Sequence, residues 1–396
     1  MTTGRPPVVR RAPGKLFVAG EYAVVEPGNP AILVAVDRHV TATVTEPAGA
    51  GVVISSDLTA APVRWLRRGD RLDPVGVADP DRARRELAHV LAAVRTVTRL
   101  LAEQGRPAPD LDIAISSTLH ENGVKFGLGS SGAVTVATVA AVAAHAGLTL
   151  SAEERYRLAL LASAELDPKG SGGDLAASTW GGWIAYRAPD RGAVLDLVHR
   201  HGVAGALAAP WPGFDVRRLP PPAGLTLEVG WTGTPASTTE LVSGLHRGAW
   251  RGTASHRRFV AATTDCVRAA ADALERGDRH TLLDVVRRAR QELARLDEEA
   301  GIGIFTPALT ALCDTAEAVG GAAKPSGAGG GDCGIALLET ADAGRAAPAE
   351  DIARTEGTAR TGATGAPPDI DHLRERWTAA GVRPLALRPA TEGNEE

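Results

Sequence analysis

The sequence has few cysteines, few lysines and no long apolar run. Its three cysteines, Cys266, Cys313 and Cys333, are scattered and lack metal-ligand spacing, which argues for a reducing, cytoplasmic location without a disulfide framework. No apolar run is long enough to cross a bilayer, and the N-terminal segment lacks the apolar core of a signal peptide. The formal net charge of −4 is not the basic excess of a nucleic-acid binder. We therefore expect neither a membrane nor a nucleic acid as a partner.

Lysine is much rarer than arginine in this chain. Of 43 basic residues apart from histidine, four are lysine: Lys15, Lys125, Lys169 and Lys324. Methionine occurs only as the first residue and alanine is abundant, which indicates a GC-rich coding bias that turns exposed lysines into arginines. A lysine that remains then marks a place where a compact ammonium cannot be exchanged for a planar guanidinium. All four lie in or beside glycine-rich segments, so we expect functional roles, for Lys15 and Lys125 in particular.

Size and composition predict a globular protein of about two or three domains. The chain has 396 residues, of which 44% are hydrophobic and 23% charged. We expect an N-terminal domain over residues 1–220 and a C-terminal domain over residues 221–396, joined through the proline-rich stretch 209–222. The Ala-, Gly-, Thr- and Pro-rich tract 340–368 is expected to be a disordered insertion in the second domain.

Hydrophobic periodicity gives a coarse order of helices and strands. In the first half, the main expected helices are 86–104, 133–148 and 152–165, and the main expected strands are 8–22 with a Pro-Gly kink, 31–36, 39–44, 111–117, 183–186 and 195–198. In the second half, the expected order is strand 225–231, helices 258–275, 282–298 and 307–319, a glycine-rich hairpin at 322–338, helix 369–380 and strand 384–388. That second order is a split βαβ, ferredoxin-like arrangement.

The stretch 127–132, Gly-Leu-Gly-Ser-Ser-Gly, runs directly into a helix of small residues. Glycines allow a tight concave loop, and a helix N-terminus offers unpaired N–H groups with a partial positive charge. Such a loop is a ready site for nucleotide phosphates, to which Ser130 or Ser131 can add a hydroxyl. The same residues satisfy the dinucleotide fingerprint G-x-G-x-x-G, but a polar loop precedes them instead of a buried strand. A plain helix cap is the other alternative, and the chain has no Walker sequence.

Charged residues in apolar or glycine-rich surroundings are further candidates. Lys15 and Glu21 lie within apolar sequence, where they form either a structural ion pair or part of a site at which strands meet. Asp174 follows Gly172 and Gly173 at the start of a small-residue helix, where it can cap the helix or face a site.

Three motifs in this order resemble the GHMP kinase superfamily. They are Ala12-Pro-Gly-Lys-Leu-Phe-Val-Ala-Gly-Glu-Tyr22, Gly127-Leu-Gly-Ser-Ser-Gly-Ala133 and Lys324-Pro-Ser-Gly-Ala-Gly-Gly-Gly-Asp-Cys-Gly334. Within the superfamily, Lys125 before the second motif and the segments 170–177 and 230–238 look like the phosphomevalonate kinase family. The resemblance implies an α+β GHMP kinase fold, with an N-terminal mixed α/β domain, a C-terminal ferredoxin-like domain and an active site in the cleft between them.

The resemblance also implies roles for particular residues. It makes Lys15, Lys125 and Asp174 the catalytic set and Ser131 a ligand of Mg²⁺; Glu165 is a second metal candidate, although it precedes Asp174 by fewer residues than in related kinases. The ATP-binding residues are Gly127, Leu128, Gly129, Ser130, Ser131, Gly132 and Ala133. The substrate-binding residues are Lys15, Glu21, Tyr22, Lys125, Ser171, Gly172, Ser237, Thr238, Ser326 and Gly327.

The expected reaction is ATP- and Mg²⁺-dependent phosphorylation of phosphomevalonate by a monomer or homodimer. Phosphoryl transfer depends on positioning and charge neutralisation, which the lysines, Mg²⁺ and the helix N-terminus would supply. Two alternatives are a kinase of mevalonate or another small alcohol, and a non-catalytic binder with the same fold. Lys125 favours a phosphorylated acceptor over an alcohol, and the presence of Lys15, Ser131 and Asp174 together argues against a mere binder.

Overall fold

A computed structural model describes residues 5–57, 59–236, 241, 250–340, 370–391 and 393. The tract expected to be disordered lies outside these residues, except for Thr340. None of the helices in these ranges has the length and apolarity needed to span a membrane.

The first part of the chain forms an eight-stranded sheet. Its strands are β1 (Val8–Ala19), β2 (Pro30–Thr45), β3 (Val52–Ser56), β4 (Val63–Arg68), β5 (Arg71–Val75), β6 (Leu111–Ser117), β9 (Trp183–Arg187) and β10 (Asp215–Leu219). The order is β10-β9-β2-β6-β3-β4-β5, with β1 paired to β2. A short ribbon of β7 (His120–Glu121) and β8 (Val124–Lys125) stands apart from this sheet.

The expected kink in the first strand is an irregularity within one continuous strand. The pairing of β1 with β2 shifts register between Pro13 and Gly14. A Cβ at Gly14 would lie 2.8 Å from the carbonyl oxygen of Leu128, so glycine is required where the 127–132 loop approaches the strand. The next amide, Lys15 N–H, donates to that same carbonyl at 2.8 Å. The Pro-Gly pair thus positions the glycine-rich loop against β1.

In the described part of the chain, six helices accompany this sheet. They are α1 (Pro80–Glu86), α2 (Ala88–Glu103), α3 (Ser130–His145), α4 (Ala152–Ala164), α5 (Gly173–Trp180) and α6 (Arg191–Ala208). Helix α3 contacts β1 and β2 on one side and α2, α4 and α5 on others, and most of its residues are buried. Because other elements surround this helix on several sides, it is composed mostly of small residues such as alanine, valine and threonine.

The second sheet has the order β12-β13-β11-β14, and all its pairs are antiparallel. Its strands are β11 (Leu225–Trp231), β12 (Ala322–Pro325), β13 (Cys333–Glu339) and β14 (Arg383–Leu385). The accompanying helices are α7 (Ala254–Arg276), α8 (Arg279–Ala300), α9 (Pro307–Ala318) and α10 (Ile370–Ala379). Numbered along the chain, these strands lie in the spatial order 2-3-1-4, which confirms the ferredoxin-like arrangement.

Two expectations about local structure were wrong. Residues 195–198 belong to α6 and not to a strand, because Asp190 caps this helix by accepting from Ala193 N–H at 3.1 Å and Val194 packs into the core. The stretch 209–222 is not simply a linker, since it contains β10. Its prolines flank that strand, which lies at the sheet edge and pairs with β9 alone.

Candidate active site

The glycines of the loop 127–132 each lie against a charged side chain. A Cβ at Gly127 would lie 2.7 Å from Oδ2 of Asp332, one at Gly129 would lie 2.9 Å from Cε of Lys15, and one at Gly132 would lie 2.5 Å from Oδ2 of Asp174. Gly127 and Gly129 also have positive φ angles of 79° and 77°. The loop is therefore glycine-rich both to turn tightly and to let three charged groups approach the start of α3.

A cavity of about 640 Å³ opens in front of this loop. The residues expected at the site that do line it are Lys15, Glu21, Tyr22, Lys125, Gly127, Gly129, Ser130, Ser131, Ser171, Gly172, Asp174 and Gly327. Leu128, Gly132 and Ala133 belong to the loop and the first turn of α3 without facing the cavity. Ser237 and Thr238 lie outside the described residues.

The lysines of the cavity wall lack carboxylate partners. Lys15 is 9% exposed, and its Nζ lies 3.4 Å from the carbonyl oxygen of Gly127 and 5.5 Å from the ring centre of Phe17. Lys125 and Lys169 are exposed and line the same cavity. Within the described ranges, no Asp or Glu side chain forms an ion pair with any of these three. Several unpaired ammonium groups around one cavity favour a ligand with several negative charges.

The fourth lysine lies behind the cavity wall. Lys324 is fully buried and pairs with Glu21, which is itself 4% exposed. Its Nζ also donates to the carbonyl oxygen of Pro325 at 2.7 Å. The sequence left open a structural ion pair for Glu21, and the structure provides one with Lys324 and not with Lys15. Glu21 borders the cavity, but its carboxylate is already paired with Lys324.

Two expected site residues are directed elsewhere. Glu165 binds Arg95 at 2.8 Å and lies 3.7 Å from Arg99, so two guanidinium groups on α2 hold its carboxylate away from the cavity. Glu165 does not line the cavity, and its pairing with arginine argues against the expected role as a metal ligand. The hydroxyl of Ser326 donates to the Phe17 carbonyl at 3.1 Å and accepts from the Phe17 N–H at 2.8 Å. Ser326 thus joins the glycine-rich segment after β12 to β1 and does not line the cavity.

Asp332 and His89 are titratable residues that line the cavity and were not predicted from the sequence. Burial raises the pKa of Asp332, whereas the Ala236 N–H at 3.1 Å and the nearby Lys15 and Lys125 lower it. Burial lowers the pKa of His89 on α2, and the charge of Asp174 opposes this shift. Asp332 lies in the third motif and could have been noticed there, whereas nothing in the sequence distinguishes His89.

A hydrogen-bonded chain connects His89 to the loop. The Thr135 hydroxyl donates to the Ser131 carbonyl at 2.7 Å, and it lies 3.4 Å from Nδ1 of His89. Because the hydroxyl has only one proton to donate, it can only accept from the ring, so the geometry favours a proton on Nδ1. In the neutral ring the other nitrogen, Nε2, is then an acceptor.

Comparison with known proteins identifies the class. Residues 88–182 match the GHMP kinases N terminal domain, and residues 270–350 match the GHMP kinases C terminal model. The phosphomevalonate kinase of Streptomyces sp. (strain CL190) is 65% identical over 99% of this chain and 100% of its own length. The mevalonate kinase of Aeropyrum pernix is 29% identical over 84% of this chain and 89% of its own length.

Solved structures agree with these relatives. The Streptococcus pneumoniae phosphomevalonate kinase in complex with phosphomevalonate and AMPPNP is 26% identical, with a TM-score of 0.78 over 97% of this chain and 100% of that one. The Lin0012 protein of Listeria innocua is 29% identical, with a TM-score of 0.83 over 99% and 100% of the two chains. The fold and the loop define a GHMP kinase. More narrowly, the chain belongs to the phosphomevalonate kinase family of that superfamily.

Proposed function

We propose that this chain transfers the γ-phosphoryl group of ATP to the phosphate of (R)-5-phosphomevalonate, giving 5-diphosphomevalonate in the mevalonate pathway to isoprenoids. The observation that carries the proposal is the group of unpaired ammonium groups around the phosphate loop, in a chain 65% identical to a phosphomevalonate kinase along its whole length. Two phosphorylated reactants bring many negative charges together, and such a site offsets them. A cytoplasmic location and a monomeric or homodimeric state remain predictions.

The positions of these residues support the roles that we assign to them. The loop 127–132 leads into the N-terminus of α3, whose unpaired backbone N–H groups would bind the ATP phosphates. Lys15 and Lys125 flank the loop and neutralise charge on the transferred group. In the transfer, a non-bridging oxygen of the acceptor phosphate forms a bond to the γ-phosphorus, the bond to the β,γ-bridging oxygen breaks, and ADP leaves.

The residues around the loop also fit Mg²⁺. Ser131 supplies a hydroxyl, and Asp174 supplies a carboxylate for which no ion pair is found in the described part of the chain. The described part of the chain contains no group of three or more His, Cys, Asp or Glu side chains that could bind a metal ion without further ligands. Mg²⁺ commonly uses one or two protein oxygens together with substrate phosphates, so we assign Ser131 as its protein ligand. When bound, the ion would neutralise charge on the phosphates.

Asp174 positions the reacting groups instead of removing a proton. It lies against Gly132 at the start of α3 and within electrostatic range of His89. A phosphate acceptor with a second pKa of about 6 has already lost the proton from the attacking oxygen near neutral pH. Tyr22, Ser171, Gly172 and Gly327 complete the wall at which the acceptor would bind.

The test measures ADP release with phosphomevalonate, mevalonate and homoserine in parallel. We expect turnover with phosphomevalonate to exceed that with either alcohol, since Lys125 adds positive charge that an uncharged hydroxyl does not need. Faster turnover with mevalonate would replace the proposal by the alcohol-kinase alternative.

The Ser131→Ala variant tests the metal site. Its activity should require a higher Mg²⁺ concentration, while its melting temperature stays unchanged. An unchanged Mg²⁺ requirement would remove Ser131 from the metal site.

A further inference from the structure

Lys169 lines the cavity, but the phosphoryl transfer described above assigns it no role. It lies on the loop between α4 and α5, is exposed, and has no ion-pair partner among the described residues. The loop has its own internal hydrogen bonds: Lys169 N–H donates to Oδ1 of Asp167 at 3.0 Å, and Gly170 N–H donates to the Asp167 carbonyl at 3.3 Å. The backbone that carries Lys169 is therefore fixed, while its ammonium is free to meet a ligand.

Arg191, the first residue of α6, holds this loop from behind. Its Nε donates to the Pro168 carbonyl at 3.2 Å, and its Nη2 donates to the Val25 carbonyl at 2.6 Å. The third nitrogen, Nη1, is buried and has no hydrogen-bond partner in the described part of the chain. This wall of the cavity thus combines the free Lys169 ammonium with a second, incompletely paired cation.

The loop that carries Lys169 and the charged groups around the 127–132 loop are positioned by different contacts. Gly172, at the end of the Lys169 loop, packs against Leu160 and the Tyr186 hydroxyl. Asp174, two residues further on, instead packs against Gly132 at the start of α3, and Lys15 packs against Gly129. Asp174 therefore lies between the loop that carries Lys169 and the start of α3.

The wall near Lys169 also has apolar surface. Val24, Val25, Leu160 and Leu166 line the cavity together with the 167–171 loop. A ligand at this end would have a negative group for the cations and a short aliphatic part for these side chains. The start of α3 is the site proposed above for the ATP phosphates, so we assign this end of the cavity to the acceptor.

We propose that Lys169 binds the carboxylate of the acceptor, at the end of the molecule opposite its reacting phosphate, and so determines which phosphorylated acceptor is used. This inference rests on the proposed function, because phosphomevalonate carries such a carboxylate beyond a methyl-substituted carbon. A charge-assisted hydrogen bond from an ammonium to a carboxylate is among the stronger protein–ligand contacts. Lys169 then selects acid acceptors, while Lys15 and Lys125 act on the phosphates.

The test combines a variant with a modified acceptor. Lys169→Met removes the charge and keeps the aliphatic stem, and the C1 amide of phosphomevalonate removes the charge from the acceptor. We expect Lys169→Met to raise KM for phosphomevalonate about 10- to 100-fold and to leave KM for ATP nearly unchanged. The wild type should lose a similar factor in kcat/KM with the amide. The variant should lose nothing further with the amide, because both changes remove the same contact.

Two further variants serve as controls. Lys169→Arg should restore part of the affinity, since a cation returns to the same place with the different geometry of a guanidinium. Arg200→Met removes an exposed cation on α6 whose Nε contacts the Asp196 carbonyl of its own helix at 3.2 Å, away from the cavity, and should leave all constants unchanged.

The outcomes separate this inference from the proposed function. If the losses in kcat/KM from Lys169→Met and from the amide were additive, Lys169 would not contact the carboxylate. The same conclusion would follow if Lys169→Met changed only the KM for ATP. Wild-type protein that phosphorylates mevalonate but not phosphomevalonate would instead overturn the proposed acceptor. Melting temperatures of all variants should match the wild type, since the Lys169 side chain is exposed and unpaired.

Discussion

At the scale of single residues, Asp174 is the side chain whose role distinguishes the two possible acceptors. It borders the cavity beside Gly132, where an attacking alcohol would need a base and an attacking phosphate would not. We expect Asp174→Asn to lower kcat about 10²-fold through lost positioning. Between about pH 8 and pH 6.5 the defect should stay constant, apart from the titration of the substrate phosphate.

The measurement is the pH profile of kcat for the wild type and for Asp174→Asn. If the variant's rate rose log-linearly with pH and the wild type's did not, Asp174 would be removing a proton. That result would favour an alcohol acceptor such as mevalonate.

Lys125 gives a second prediction at this scale. Its side chain is exposed at the cavity wall on β8, next to Phe126, which is 1% exposed and packs against Arg38. We expect Lys125→Ala to lower kcat/KM about 10- to 100-fold, as for the loss of a charge-assisted hydrogen bond. Lys125→Arg should recover only part of this, because a planar guanidinium directs its N–H groups differently. Full activity of the arginine variant would show that any positive charge suffices there.

At the scale of elements, the first turn of α3 brings the backbone into close contact with a charged side chain. A methyl group at Gly132 would overlap Asp174, whose Cγ would lie 2.7 Å from the new Cβ. Gly132→Ala should therefore displace Asp174 and lower kcat. Alanine is favoured over glycine inside a helix by about 1 kcal/mol, so the helix itself gains rather than loses stability.

Steady-state kinetics and thermal unfolding together test Gly132→Ala. A suitable control is Gly49→Ala, because its new Cβ would meet only the end of the Arg64 side chain, at 3.0 Å, outside the cavity. Wild-type kcat in Gly132→Ala would mean that Asp174 moves without consequence and has no positioning role.

Elements with long, regular patterns could be predicted from the sequence. The helix expected at 86–104 is α2 (Ala88–Glu103), and the strand expected at 111–117 is β6 (Leu111–Ser117). The run 195–198 was mistaken for a strand because a run of only four residues, three apolar and one aspartate, fits either period. The helix α6 is favoured over a strand by the cap at Asp190 and the packing of Val194, and both are visible only in the folded chain.

The site could be predicted in part, for reasons that differ between residues. Gly127 and Gly129 lie in a dense cluster of glycines, and Lys15 is one of only four lysines and lies within apolar sequence. The local sequence therefore identifies all three. Ser326 and Glu165 could not be excluded from sequence, because their partners, Phe17 and Arg95, are far away along the chain. Residues such as His89 enter the cavity from ordinary helical sequence, and only the packing of α2 against α3 brings them there.

At the scale of the whole molecule, a buried ion pair fastens the second sheet to the first. Lys324 belongs to β12, and Glu21 follows directly after β1, with both side chains almost fully buried. We expect Lys324→Met to lower the free energy of unfolding by about 3–5 kcal/mol, because it leaves the Glu21 carboxylate buried without its cation. Combining it with Glu21→Gln should restore most of that loss.

Urea unfolding of the wild type, both single variants and the double variant would test this. Breaking the exposed pair Arg82–Glu86 provides the control, with an expected change of about 0.3–0.5 kcal/mol. A loss of that small size for Lys324→Met would show that the buried pair does not hold the two sheets together.

The placement of the lysines has a consequence for the chemical reactivity of the protein. Amine-directed reagents modify exposed ε-amino groups, and in this chain those of Lys125 and Lys169 border the cavity, with Lys15 deeper in its wall and Lys324 fully buried. Acylation of side-chain amines would therefore fall on the active site before any other surface. Activity should decline in step with the first side-chain label, and saturating nucleotide and acceptor should slow both. Dyes, biotin or solid supports for this protein are better attached through another functional group, since coupling through lysine would block the cavity.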